Sequence, residues 1–263
     1  SIYGSSNGDT VIVRDGTYVE NINFNGKAIT LKSENGPATT IIDGNQIASV
    51  VTIVSGESSD SVLEGFTVTN GLALDGAGLY CASSSPTLRN CIFSNNTAHY
   101  YGGGIICFNS SSPTVESCTF SNNLVINYDG GGISCISGSS PTFVDCTSSS
   151  NTARYGGGMH CSDNSSPTLE NCMFTDNESD QHGGGIACHS SSPTLENCIL
   201  EDNTAQYDGG GMHCVNSSPS LDNCTFRNNT VTRDGGGMGC YGPSGFPTLK
   251  NCTFTNNAAG SWG

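Results

Sequence analysis

Fourteen cysteines occupy two fixed places in a repeating pattern, ten to twelve residues apart within each copy. The pairs are Cys81 and Cys91, Cys107 and Cys118, Cys135 and Cys146, Cys161 and Cys172, Cys188 and Cys198, Cys214 and Cys224, and Cys240 and Cys252. Every copy has both and the first 75 residues have neither. This joint appearance predicts one disulfide within each copy, closing a short loop that contributes roughly 2 to 3 kcal/mol if unstrained. The alternative is two ladders of buried reduced thiols acting as small hydrophobes. A zinc array fits the spacing less well, because there is no CxxC pair. Disulfides imply a compartment outside the reducing cytosol, so the expected location is extracellular or at the cell surface.

Four outward-facing sets carry other chemistry. Glu64, Arg89, Glu116, Asp145, Glu170, Glu196, Asp222 and Lys250 read as one column, with Glu116, Asp145, Glu170, Glu196 and Asp222 as consecutive acids. Like charges at strand spacing repel, which makes Ca²⁺ a candidate ligand, although no calcium-loop motif accompanies them and a solvated acidic stripe is the plainer reading. Apart from calcium, no cofactor is expected. The variable loop before each glycine triplet supplies a second set, Tyr100, Tyr101, Tyr128, Asp129, Tyr155, His182, Tyr207 and Asp208. Tyrosine faces and carboxylate acceptors on a rigid scaffold suit a glycan, and tyrosines packed to seal the scaffold are the alternative. Thirdly, His160, His182, His189 and His213 with Asp129, Asp180 and Asp208 are the best candidates for acid and base chemistry, but they fall at scattered positions. Finally, Ser85/Thr87, Ser112/Thr114 and their successors form hydroxyl columns that raise ice binding as a minor possibility.

All these positions are held by a cassette of about 26 residues that recurs seven times from Gly76 to the end, as in GGGIICFNSSSPTVESCTFSNN (102–123) and GGGMHCSDNSSPTLENCMFTDN (156–177). A fixed period of this size marks a solenoid. The alternation within a copy is that of short strands: Leu88, Cys91 and Phe93 point one way, and a bend at Asn90 resets the pattern. Glycine triplets, Ser-Ser-Pro and Asn-Asn break the chain between strands. Stacking one copy per turn predicts an all-β parallel β-helix of about nine coils. Residues 1–75 read as aliphatic coils of the same solenoid, and residues 76–263 as the seven cysteine cassettes. VLEGFTVTNG (62–71) aligns with TLRNCIFSNN (87–96), placing Phe66 in the Cys91 column and Val68 in the Phe93 column. Asn96, Asn123, Asn151, Asn177, Asn203, Asn229 and Asn257 form a column expected to hydrogen-bond from rung to rung.

A formal net charge of −15, with only eight Lys and Arg, argues against a nucleic-acid partner. No apolar run approaches the ~18 to 20 residues of a membrane span, so no membrane insertion is expected. The chain starts at Ser1 and stops at GSWG, within the repeat pattern, which reads as a mature segment or a piece of a longer array. Strand edges at both ends predict end-to-end self-association.

GDTVIVRDGTYVENINFNGKAITL (8–31) and TTIIDG (39–44) resemble the N-terminal coils of right-handed parallel β-helix proteins of the pectin-lyase-like superfamily. The cassettes resemble repeats of polymorphic outer-membrane-protein autotransporters, whose motifs are Gly-Gly-Ala-Ile and Phe-x-x-Asn. GGGI at 102–105, 130–133 and 183–186 and pairs such as Phe93/Asn96 and Phe174/Asn177 carry that likeness. Gly stands for Ala, Met159, Met212 and Met238 for Ile, and Ser148 and Leu200 for Phe. The resemblance implies a right-handed β-helix and a secreted surface or adhesive role. The sequence therefore predicts a non-catalytic extracellular structural or adhesive protein, assembling end to end into a surface fibre. Its alternative is a β-helix that binds an extracellular polysaccharide or cleaves one as a lyase or hydrolase.

Overall fold

Each cassette contributes one short strand to each of four parallel sheets, because its Gly, Pro and Asn residues break the chain every few residues. The structure, a computed structural model, describes residues 2–243 and 245–261. Ser1, Ser244 of the last cassette and Trp262 and Gly263 of the terminal GSWG lie outside the described residues. The first sheet has ten strands, from Thr10–Val13 to Thr248–Lys250, and in the cassettes its strands follow the prolines. The second also has ten, from Gly16–Val19 to Thr253–Thr255. The third has eight, from Leu72–Asp75 to Ala258–Ala259, and the fourth has nine, from Ile22–Asn23 to the glycine-triplet strand Met238–Tyr241. The chain is a parallel β-helix of about nine coils, and one apolar core runs through it from Ile2 to Phe226 without a break at residue 75. Among the described residues no helix is long and apolar enough to cross a membrane.

Two turns per coil rest on asparagine-type residues. Asn90, Asn171, Asn197, Asn223 and Asn251 take left-handed backbone with φ between 47° and 55° at the bend between the first and second sheets. Asn95, Asn122, Asp176, Asp202, Asn228 and Asn256 do the same after the second sheet, with φ of 54° to 56°. Asn and Asp tolerate that conformation better than other side chains because they hydrogen-bond locally. The next residue is then the buried asparagine of the ladder. Asn177 is typical: its Oδ1 accepts from the backbone N–H and Nδ2 of Asn151 at 3.1 and 3.0 Å. Its Nδ2 donates to Asn203 Oδ1 at 3.0 Å and to the Ser148 carbonyl at 2.9 Å. The same bonds link every rung from Asn96 to Asn257.

A second buried ladder was hidden in the Ser-Ser-Pro turn. The backbone N–H groups of Ser84, Ser111, Ser139, Ser165 and Ser191 each donate to the hydroxyl of the next coil's serine, at 3.0 to 3.2 Å. It ends on Glu57, whose carboxylate, only 3% exposed, accepts from Ser84 Oγ and from the N–H groups of Gly26 and Ser55. Burial pushes that carboxyl up, but those hydrogen bonds outweigh it and hold it below its ordinary range. One residue further on, the exposed hydroxyls of Ser85, Ser112, Ser140, Ser166 and Ser192 accept from backbone N–H groups of the following coil. Those hydroxyls tie coils together, so the serine column proposed for ordering ice has its oxygens engaged within the fold.

Phe93 lies in register with Val68, which puts Phe66 in the Cys91 column as the sequence predicts. The predicted disulfides are not formed: all fourteen cysteines are free. Cys81, Cys107, Cys135, Cys161, Cys188, Cys214 and Cys240 stack in register on the inner face of the fourth sheet. Cys91, Cys118, Cys146, Cys172, Cys198, Cys224 and Cys252 instead lie at the bend leading into the second sheet, and each meets its counterpart in the next coil rather than its cassette partner. Apart from the exposed Cys240 and the half-buried Cys252 of the last coil, both columns sit in the apolar core, where burial pushes a thiol such as Cys81 up and keeps it protonated.

Removing the Asn177 amide with Asn177→Ala strands the Asn151 N–H and the Ser148 carbonyl. The expected cost is about 2 to 6 kcal/mol, at ~1 to 3 kcal/mol per orphaned group, read as a lower melting temperature, whereas Asp176→Asn at the neighbouring exposed bend changes little. Alkylation of the unfolded, unreduced protein should modify all fourteen cysteines; modification of none would restore the disulfide reading.

Candidate functional site

The residue just before each glycine triplet forms a continuous column along the third sheet and the bridges that extend it. Asp75, Tyr101, Asp129, Tyr155, His182, Asp208 and Asp234 stand in register, one per coil. The first glycine of the triplet then turns the chain sharply. Gly156 has φ 61°, and a Cβ there would lie 2.1 Å from the Met159 carbonyl oxygen. This turn folds the column over the outward face of the fourth sheet, where a second column runs Tyr80, Ile106, Ser134, His160, Ala187, His213. Beside it runs a third that includes His189, Val215 and Tyr241. The result is a seam at the corner of the third and fourth sheets. It explains why His160, on the outer face of a strand, is only 3% exposed.

Four of the five histidines meet in this seam. His160 Nε2 lies 3.3 Å from His189 Nδ1 and 3.7 Å from Asp129 Oδ2. The His182 and His213 rings stack with centroids 4.5 Å apart, and His189 lies 5.9 Å from His213 over the space left by the small Ala187. Tyr155 stacks on His182 at 5.4 Å, Tyr207 lies 5.7 Å from the same ring, and Tyr241 lies 5.3 Å from His213. His182 Nδ1 is 3.0 Å from Asp208 Oδ2. Arg154 and Arg233 place guanidinium groups 5.1 and 5.8 Å from the Tyr155 and Tyr207 ring centres. Tyr100, Tyr101 and Tyr128 form a neighbouring aromatic group with centroid separations of 5.4 Å.

Burial sets the protonation states. It pushes His160 down to about 3, helped by the neighbouring His189, and His213 down to about 3, helped by His182 and His189. It pushes Asp129 up to about 7, against the opposing pull of Arg154. Near neutral pH the seam thus holds uncharged imidazoles beside a carboxyl that exchanges its proton readily. Buried polar atoms without a hydrogen bond concentrate here too: Asp129 Oδ1, Asp208 Oδ1, Asp234 Oδ1 and the Nδ1 atoms of His160 and His213. Among the described residues, His182, Asp208 and His213 form a group that could hold a metal ion.

The sequence-derived sites fare unevenly. Tyr101, Tyr128, Asp129, Tyr155, His182 and Tyr207 line or adjoin the seam, and Tyr100 lies on its outer side. Asp208 belongs to it but is 4% exposed, so it faces His182 rather than solvent. Asp180 is exposed and stands apart from the histidines. Arg154, Arg233, Asp234 and Tyr241 were not anticipated; reading the residue before each triplet, and those four and six places after its first glycine, would have found Asp234 and Tyr241. The acidic column needs correction at Asp145. Val144, not Asp145, stands between Glu116 and Glu170, while Asp145 occupies the left-handed bend with φ 54° and accepts from Asn171 Nδ2 at 3.1 Å. Glu116 is paired with Arg89 at 2.7 Å and Asp222 with Lys250 at 2.5 Å. Glu170 and Glu196 remain as adjacent acids, and among the described residues no metal-sized cluster forms around this proposed calcium stripe.

Two cavities of about 500 and 540 Å³ lie at opposite ends of the solenoid, one lined by Val11, Tyr18 and Phe66 and the other by Met238, Leu249 and Phe254, and neither includes the seam. The candidate site is a largely buried seam along the axis, bordered by partly exposed tyrosines, not a closed pocket.

Comparison with known proteins fits this geometry. The sequence profile of the family described as "Right handed beta helix region" matches residues 27–198 and 156–262, so the chain belongs to that family. A pectate lyase, Pel9A, is structurally similar with a TM-score of 0.53 at 15% identity, covering 95% of this chain and 71% of the lyase. A pectin methylesterase from Aspergillus niger, in deglycosylated form, is similar with a TM-score of 0.50 at 13% identity, covering 97% of this chain and 80% of the esterase. At such identities the likeness is one of fold. No curated protein matched the sequence.

His160 gives a pH prediction. Its folded value lies below the ordinary 6.5, so the unfolded chain binds the extra proton and stability falls as pH drops from about 6.5 towards 3. His160→Gln should remove up to about 1.4 kcal/mol per pH unit from that slope in urea melts. An unchanged slope would mean that His160 is open to solvent. Asp129, raised to about 7, acts in the opposite sense: its penalty grows as pH rises from about 4 to 7.

Proposed function

We propose that the protein is a non-catalytic, extracellular β-helix that adheres to polysaccharide through the Tyr/His/Asp seam. The observation that carries this reading is the run of tyrosine rings on the rungs of a rigid scaffold. Tyr100 and Tyr128 are each 40% exposed, and Tyr101, Tyr155 and Tyr207 are partly exposed beside them. A ring of this kind offers an apolar face and a polar tip, which suits a sugar with one apolar face and a rim of hydroxyls. Arg154 and Arg233 stand three coils apart, roughly 14 Å at strand spacing, and supply cations for an acidic sugar on an otherwise acidic protein.

Binding is favoured over cleavage by the state of the carboxylates. Hydrolysis needs two acids flanking an open cleft. Here the side chains of Asp129 and Asp208 are 13% and 6% exposed and lie against histidines. The lyase and esterase of similar fold are named for pectic substrates, which agrees with a polysaccharide partner and says nothing about retained activity. End-to-end association of the rods would multiply weak contacts along a long polymer.

The test is affinity electrophoresis against neutral and uronate-containing polysaccharides, with product analysis on the same mixtures. At least one polymer should retard the protein without releasing reducing ends or unsaturated sugars. Tyr155→Ala and Tyr207→Ala should each weaken retardation tenfold or more, about 1.4 kcal/mol. No retardation by any polymer, or retardation indifferent to both substitutions, would reject the seam as an adhesive surface, and product release would replace adhesion with catalysis.

A further inference from the structure

We propose that His182, Asp208 and His213 form a binding site for one divalent transition-metal ion of the zinc class. The donor atoms of these three side chains lie within 4.8 Å of one another. Two imidazoles and a carboxylate form a donor set that suits Zn²⁺ or Co²⁺, whereas Ca²⁺ prefers an all-oxygen shell. Bonds of ~2.0 to 2.2 Å in tetrahedral array put donors about 3.3 to 3.5 Å apart, so only a small contraction is required.

The fold presents the three ligands on adjacent rungs. Asp208 and His213 flank one glycine triplet, and the tight turn at Gly209, φ 66°, brings them together. A Cβ on that glycine would lie 2.4 Å from the Met212 carbonyl oxygen and 2.8 Å from His213 Cβ, so the turn admits no larger residue without moving a ligand. His182 comes from the coil before, directly in register with Asp208. Because the rungs are locked by backbone pairing, the spacing of the ligands does not depend on a mobile loop.

The second observation is the set of orphaned atoms. His213 Nδ1 and Asp208 Oδ1 are buried without a hydrogen bond, as is Oδ1 of Asp234 on the next rung, while the buried Nδ1 of His182 already faces Asp208 Oδ2 at 3.0 Å. Buried polar groups without partners are costly, and an ion held by the three side chains would satisfy those it reaches. The imidazole rings, stacked at 4.5 Å and 18° from parallel, would tilt to aim their nitrogens at the ion. Arg233 Nε, 3.8 Å from Asp208 Oδ1, is the competing cation; its side chain is 56% exposed and can turn outward. The fourth position would be left to water or a ligand hydroxyl. The site stands on its own residues and does not require the carbohydrate reading.

The experiment is titration of the metal-free, reduced protein with Zn²⁺ by calorimetry and with Co²⁺ by visible absorption. One ion per chain is expected, with the ligand-field bands of four- or five-coordinate cobalt and no thiolate-to-cobalt charge transfer. His182→Gln, Asp208→Asn and His213→Gln should each weaken binding at least a hundredfold, and His160→Gln should leave it within about twofold. A readout free of variants is diethyl pyrocarbonate modification of the wild-type protein followed by mass spectrometry. Zn²⁺ should protect His182, whose side chain is partly exposed, and leave His99 reactive. Absence of saturable binding, a thiolate signature from the cysteine columns, affinity indifferent to the three substitutions, or an unprotected His182 would each overturn the proposal.

Discussion

In-register parallel stacking governs this molecule. One coil spacing of about 4.8 Å brings every side chain against its own counterpart, so a residue is selected for how it meets a copy of itself. Turn backbone is the difficult part, since its N–H and C=O groups are buried between coils and have no neighbouring strand to pair with. Asparagine resolves this because a single amide both donates and accepts. Asn151, Asn177 and Asn203 each satisfy the turn below and are satisfied by the one above. Serine hydroxyls meet the same demand in the other turn, ending on the acceptor-only carboxylate of Glu57.

The same constraint accounts for the cysteines without disulfides. The two cysteine columns face a common interior. In the aliphatic coils Ile53 occupies the place of Cys81, and Phe66 that of Cys91. A change of volume in one column is therefore felt by the other in a close-packed interior, and the two change together. Outside the core, stacking acts on whichever residues border the glycine triplets. It gathers Tyr, His and Asp from five successive coils into a single seam, where burial lowers the imidazoles and raises the Asp129 carboxyl.

Much of the fold was legible in the sequence because the repeat is also the coil. The period, the strand order, the match of Val68 to Phe93 and the asparagine ladder all follow from aligning the cassettes. Asp145 was misplaced because its charge was matched to Glu116; counting back from Cys146 puts it at the bend, where Ser117 stands in the preceding copy. The cysteine partners were misjudged because sequence proximity within a cassette was taken for spatial proximity, whereas in a solenoid the close neighbour lies about 26 residues away. The seam was the least legible part. His160, His182, His189 and His213 occupy three different cassette positions, and only the turn at the first glycine of each triplet brings those positions together. The serine ladder escaped notice because its two adjacent serines look identical in sequence while one is buried and the other exposed.

Amide hydrogen exchange measured by NMR tests the dependence on axial ladders most directly. The backbone N–H groups of Asn96, Asn123, Asn151, Asn177, Asn203 and Asn229 lie in turns, yet each donates to the side chain of the next coil. If those bonds hold the coils in register, these six amides exchange as slowly as the central strand amides of the first and second sheets. If they exchange at the rate of open turn amides while the strands stay protected, the ladders do not hold the solenoid together and the account fails at its foundation.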